Sequence, residues 1–197
     1  MIVVDGGSED NTVALSEPLA DRVMTSLPGR ARQMNAGARV ALGEIFLFLH
    51  ADTSLPEGAD RLIIDGLNRK GRNWGHFDVR FSGRPPLLRV VEYLMNLRSR
   101  LTSIVTGDQT LFVRRDLFEA IGGFPDINLM EDIALSKIMK RRGRPVCLWQ
   151  RVLTSGRRWE RNGILRTVLL MWRLRLAYAL GTDPLQLARL YERQKDR

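Results

Sequence analysis

Phe46-Leu47-Phe48-Leu49-His50-Ala51-Asp52 is a short apolar run that ends on a histidine and a carboxylate. Gly43-Glu44 precede it and Thr53-Ser54-Leu55-Pro56 follow it. A run this short between turn formers reads as a buried strand of a parallel sheet. Open α/β sheets bind ligands just beyond the carboxyl ends of their strands, so Asp52 stands where a ligand would sit. A carboxylate there needs a partner, and a divalent cation is one; capping the next helix is the other role the position allows.

The flanking chain alternates strand and helix. Ile2-Val3-Val4 forms a strand that runs into Asp5-Gly6-Gly7-Ser8-Glu9-Asp10-Asn11-Thr12, with a helix predicted to Leu19. Asp5 ends its strand as Asp52 does, and the glycines let backbone approach a ligand. Arg22–Thr25 is a second short strand. Gly29 to Leu42 opens with Arg30 and Arg32, a helix start suited to anions or an exposed face with solvated arginines. Further helices are predicted over 57–69, 87–101, 115–121 and 131–141. Strands are predicted over 74–81 and 110–113, and in two pieces over 145–149 and 152–155. Glu131-Asp132 in a first helical turn complement the helix dipole whatever else they do. This order predicts a mostly parallel sheet covered by helices on both faces.

At 197 residues and 44% hydrophobic content the chain suits one domain, with an appendage at most. The single cysteine, Cys147, excludes an internal disulfide and a cysteine-only zinc site. No stretch is long and apolar enough for a membrane span, and no signal peptide is legible, so a cytoplasmic setting is expected. The net charge of +9 is concentrated: residues 151–197 hold 11 Lys+Arg against 4 Asp+Glu, a net +7. That basic quarter suits phosphates or an anionic membrane surface. Nucleic acid is not expected as a partner, because the aromatic-basic interleaving of strand-binding proteins is missing. Residues 164–180 are apolar with Arg166 and Arg173 on one helix face and Arg175 roughly opposite. Packing on the catalytic domain, on a second copy or on a membrane surface are the readings this segment allows.

The motifs resemble those of family 2 glycosyltransferases. Val3-Val4-Asp5-Gly6-Gly7-Ser8-Glu9-Asp10-Asn11-Thr12 resembles their D-G-S-x-D-x-T element. His50-Ala51-Asp52 resembles D-x-D with the first acid replaced, and Glu131-Asp132 resembles the E-D that supplies the base. Gly29 to Gly37, Gly107 to Arg115 and Gly122 to Pro125 fall in the family order. The longer forms are similar to a bacterial subgroup identified with arsenosugar biosynthesis. The resemblance implies a GT-A fold over residues 1–160 with a helical appendage over 161–197. It implies transfer of a sugar, hexosyl or related, from a nucleoside diphosphate sugar to an acceptor hydroxyl, inverting and dependent on Mg or Mn. The roles it implies are Asp132 as general base with Glu131 beside it, and Asp52 as metal ligand. The donor would meet Asp5, Gly6, Ser8, Arg30, Arg32, Asn35, Asp108, Arg158 and Trp159. His50 is read as structural, or as a second metal ligand. Family members carry a strand and a helix before the D-G-S element, so the position beside Ile2-Val3-Val4 is expected to be empty in these residues. A catalytically impaired remnant that binds a sugar nucleotide or a partner is the alternative. Peripheral membrane contact or a homodimer through the C-terminal helices is a further expectation.

Overall fold

The computed structural model describes residues 1–192. Seven strands run β1 (Ile2–Asp5), β2 (Arg22–Thr25), β3 (Ile45–Phe48), β4 (Thr53–Ser54), β5 (Trp74–Phe81), β6 (Leu111–Arg114) and β7 (Val146–Thr154). The helices are α1 (Thr12–Ser16), α2 (Arg30–Val40), α3 (Ala59–Lys70), α4 (Pro86–Thr102), α5 (Arg115–Ala120), α6 (Glu131–Met139), α7 (Arg157–Asn162), α8 (Ile164–Ala179) and α9 (Pro184–Glu192). The last five residues of the expected 161–197 appendage lie outside the described residues.

The α/β class holds, with helices on both faces, but the sheet is mixed rather than mostly parallel. One sheet has the order β3-β6-β5-β7-β4; β1 and β2 form a separate parallel pair. Within the larger sheet only β5 and β7 run parallel. β3 with β6, β6 with β5 and β7 with β4 are antiparallel. The reason lies in α4. An alternating strand-helix pattern does not distinguish a helix that crosses over the sheet from one that lies along a strand edge. β6 pairs β5 only over Trp74–His76. Beyond that point α4 serves the exposed edge: Val79 N–H donates to Asn96 Oδ1 at 2.9 Å and Asn96 Nδ2 donates back to Val79 O at 3.1 Å. Phe81 N–H donates to Glu92 Oε1 at 2.6 Å. Side chains of a helix thus stand in for a missing strand and pair the Val79 and Phe81 backbone groups.

Other expectations shift in detail. The opening run ends as a strand at Phe48, leaving Leu49 to Asp52 as the link to the two-residue β4. The two pieces expected over 145–155 are one strand, whose register against β5 shifts between Phe77 and Asp78. The predicted helix to Leu19 ends in a 3-10 turn because Pro18 follows α1.

Every β5 residue except Arg80 is buried, as a strand covered on both faces must be. One apolar cluster joins Phe46, Trp74, Val113, Phe118 and Phe124 under α2, α5 and α6. A second joins Leu67, Phe77, Val79, Phe81, Leu88 and Val152 under α3 and α4. A third docks the C-terminal helices onto α6 through Met130, Ile133, Leu174 and Leu187. The basic appendage therefore packs on the helix that opens with Glu131-Asp132.

β1 is not paired with the larger sheet among the described residues. The Met1 and Asp5 carbonyls accept bonds on the β2 side, so alternation turns those of Ile2 and Val4 away. Val4 O is met there by Gln33 Nε2 at 2.9 Å. Arg115 N–H donates to Glu44 O, so Ile45 and Leu47 likewise turn their backbone groups away from β6. Both outward edges line one open cleft of about 2140 Å³.

The tightest backbone approach in the sheet tests this packing. A Cβ on Gly75 would lie 2.3 Å from Val146 O and 2.6 Å from the Phe112 ring. Overpacking of this kind costs about 1–3 kcal/mol. Gly75→Ala should lower the melting temperature by about 2 °C or more; an unchanged melt in differential scanning calorimetry contradicts the β5–β7 register.

Candidate active site

The site is organised by the 3-10 turn Gly107–Gln109, which joins α4 to β6. Gln109 is fully buried and its Nε2 donates to Ser99 Oγ at 2.8 Å on α4. Val105 N–H donates to Ser136 Oγ at 3.1 Å, tying the segment to α6. Gly107 N–H donates to Asp132 Oδ2 at 2.9 Å. A Cβ on Gly107 would fall 2.4 Å from His50 Nε2, so a side chain there would push the His50 ring aside. Strain gathers on either side: Thr110 has φ +51° and Met130, immediately before Glu131, has φ +70°. β-Branched or bulky residues adopt such angles at an energetic cost, commonly at functional sites.

The acids differ in environment. Asp132 lines the cleft; Oδ1 accepts the Ile133 N–H and Oδ2 the Gly107 N–H. Its carboxylate is oriented without an ion pair among the described residues. Glu131 is buried at 4% exposure, and burial with the adjacent Asp132 charge pushes its pKa up to about 6. Asp108 faces His50, with Nδ1 to Oδ1 at 3.6 Å. Burial raises the Asp108 pKa, but the hydrogen bond and charge of His50 outweigh it, and the net shift is downward. Asp52 is exposed on the cleft wall.

The cleft also collects cations. Arg30 from the start of α2 and Arg158 from α7 both line it. Arg158 stacks on Tyr191 at 4.1 Å, and its pKa is lowered by burial and by Arg30. Trp159 lies on the same wall, packed on Phe81 at 5.2 Å between ring centroids.

The remaining expected donor residues make contacts within the fold. Asp5 is buried and accepts the Gly7 N–H at 2.8 Å, the Ser8 N–H at 2.9 Å and the Ser8 hydroxyl at 2.5 Å. The Ser8 hydroxyl is the largest cause of the lowered Asp5 pKa. Asp5, Gly6 and Ser8 thus form a self-contained turn outside the cleft lining. Arg32 pairs with Asp126 at 2.8 Å. Asn35 holds the glycine loop through Phe124 N and O at 2.9 and 2.8 Å. Both belong to the link between α2 and the 122–126 loop.

Two site residues escape the sequence reading. Arg98 of α4 and Arg175 of α8 line the cleft near Asp132 and Asp108. The off-face position of Arg175 in an otherwise apolar helix was the legible signal. Among the described residues no group of three His, Cys, Asp or Glu side chains gathers as a cation site. Asp52 is nevertheless a free carboxylate at the cleft, which fits ions held by one or two carboxylates together with substrate phosphates. A carboxylate oriented in the same cleft as cations is chemically suited to group transfer with an anionic leaving group.

A model of "Glycosyl transferase family 2" matches residues 1–122. No curated protein matches. Among solved structures, Staphylococcus aureus TarS 1–349 in complex with UDP superposes with a TM-score of 0.60 at 16% identity, over 78% of this chain and 50% of that one. Mannosyltransferase PcManGT from Pyrobaculum calidifontis, in complex with GDP-Man and Mn2+, gives 0.54 at 23% identity over 77% and 46%. The chain spans about half the length of these solved proteins. Their likeness establishes the fold, which is that of GT-A glycosyltransferases.

Glu131 makes the site pH-sensitive. Its folded pKa of about 6 exceeds the ordinary 4.5, so its protonated form is the one the fold favours. The associated stability is present below about pH 4.5 and lost as pH rises through about 6. Glu131→Gln removes that loss. Urea melts should show the variant gaining on the wild type by on the order of 2 kcal/mol between pH 4 and pH 7. A pH-independent difference contradicts the burial of an ionisable Glu131.

Proposed function

The chain belongs to glycosyl transferase family 2, and on that premise we propose that it transfers a sugar from a nucleoside diphosphate sugar to an acceptor hydroxyl, with inversion. The observation that carries this reading is the Asp132 carboxylate, held by Gly107 N–H inside a cleft that also contains Arg30, Arg158 and Asp52. Asp132 takes the proton from the acceptor hydroxyl as its oxygen forms a bond to the anomeric carbon. The bond from that carbon to the diphosphate oxygen breaks, and its electron pair leaves with the nucleoside diphosphate. Arg30 and Arg158 offset the charge that grows on the leaving group. Glu131, buried against Asp132, orients the helix start and keeps a negative field on the base.

Asp52 is the residue that would hold Mg or Mn together with the donor's diphosphate; such an ion supplies charge neutralisation of the leaving group. The Mn2+ and GDP-Man in the Pyrobaculum protein, and the UDP in TarS, support this assignment of donor class and cation. The motif lengths favour the arsenosugar-type subgroup, and the GDP-Man of the Pyrobaculum protein favours a hexosyl or related donor.

Asp132→Asn keeps the size and, through its one amide oxygen, the Gly107 contact, while it loses the Ile133 contact and the basic charge. Donor affinity in calorimetry should stay within about threefold, while transfer falls by about 100-fold or more. Transfer within a few fold of wild type moves the base elsewhere.

A further inference from the structure

Helix α8 is apolar on two opposite sides, and only one of them is covered. Leu165, Leu169, Trp172, Leu176 and Leu180 recur at four- and three-residue steps, which at about 3.6 residues per turn confines them to an arc of roughly 80°. All five are 63% to 79% exposed. Thr167 and Leu174 lie on the opposite side and are buried, Leu174 in the cluster that docks α8 onto α6. The helix therefore packs on the fold without its outer stripe. Of the five stripe residues only Trp172 also lines the cleft, so the stripe is a surface of its own. Single exposed leucines are ordinary, but a continuous row along a whole helix marks a surface that meets something.

Charge selects the occupant. Arg166 and Arg173 fall within about 40° of the edge of the stripe, and both are exposed. Among the described residues neither forms an ion pair within 4.0 Å. Helix α8 contains no acid, and residues 151–197 carry a net +7. A second copy of the chain is the poorer occupant. An isologous pairing would set the stripe on itself and bring the arginines of both copies along one seam, with no acid on α8 to answer them. A lipid surface of negative charge answers both features together. The leucines and Trp172 enter the acyl boundary while the arginines extend to the phosphates. Among the described residues no helix is long and apolar enough to cross a membrane. With 16 residues, α8 is about 24 Å long and suits lying in the plane of the surface.

We propose that α8 is an in-plane anchor that docks the protein on an anionic membrane surface, with the leucine stripe seated among the acyl chains and Arg166 and Arg173 on the headgroup phosphates. The docking is independent of the transferase reading, since it uses none of the residues assigned to donor, metal or base.

The test is cosedimentation of the full chain with large unilamellar vesicles, at low salt and without nucleotide. Vesicles of phosphatidylcholine and phosphatidylglycerol in equal parts should bind it at least about tenfold more tightly than phosphatidylcholine alone, and added salt should weaken the binding. The double variant Arg166→Gln with Arg173→Gln should lose about tenfold of the affinity for the mixed vesicles. Leu169→Gln with Leu176→Gln should lose about tenfold or more at every salt concentration. Both variants should melt within about 2 °C of the wild type, because the altered side chains are exposed. Equal binding to the two kinds of vesicle overturns the proposal. So does vesicle binding that survives in the leucine variant, which would reduce the contact to an attraction between charges. A leucine-variant melt lowered by more than about 5 °C would make the stripe part of the packed fold and also overturns it. A concentration-dependent mass in light scattering without lipid, abolished in the leucine variant, would give the stripe to a second copy instead.

Discussion

The hydrogen bond from Gly107 N–H to the Asp132 carboxylate is the contact on which the site depends. It joins the turn after α4 to the first turn of α6, and a Cβ at residue 107 would meet the His50 ring, which would have to move aside. Gln109 fastens the same turn to α4, and Ser136 fastens α6 to Val105. Asp132 is thus positioned by polar bonds of the surrounding backbone and side chains rather than by a salt bridge. Positive φ at Thr110 and Met130 is the strain this arrangement retains.

The same economy explains the sheet. Glu92 and Asn96 complete the edge of β5 where β6 departs, so α4 is held beside the strand it follows. Arg100 adds a buried pair with Asp78 at 2.9 Å. With α4 fixed there, its Arg98 and the turn that follows it face the cleft. The third apolar cluster then brings α8 against α6 and delivers Arg175 to the same space. The C-terminal helices belong to the site as much as to the surface, which the charge distribution alone did not reveal.

Much of this was legible in the chain, for identifiable reasons. Trp74–Phe81 was read to the residue because β-branched and aromatic residues filled it between clear turn signals. Glu131-Asp132 and Asp52 were placed at a helix start and at a strand's far end, and all three line one cleft. The parallel sheet was misread because periodicity reports which residues are buried, not which edge a helix serves. Asp5 and Ser8 illustrate a second limit: the sequence places a carboxylate after a strand but does not show that it also accepts the bonds of its own turn. Arg98 escaped because an arginine within an apolar helix resembles a solvated one until its neighbours in space are known.

The account stands most directly on the stereochemistry of one turnover. A single carboxylate that deprotonates the acceptor, with direct displacement of the diphosphate, must invert the anomeric carbon. With any nucleoside diphosphate sugar that the chain turns over, the anomeric configuration of the first-formed product can be read by proton NMR. Inversion relative to the donor is the predicted result. Retention would require a second nucleophile or attack from the leaving-group face, and would contradict the role assigned to Asp132.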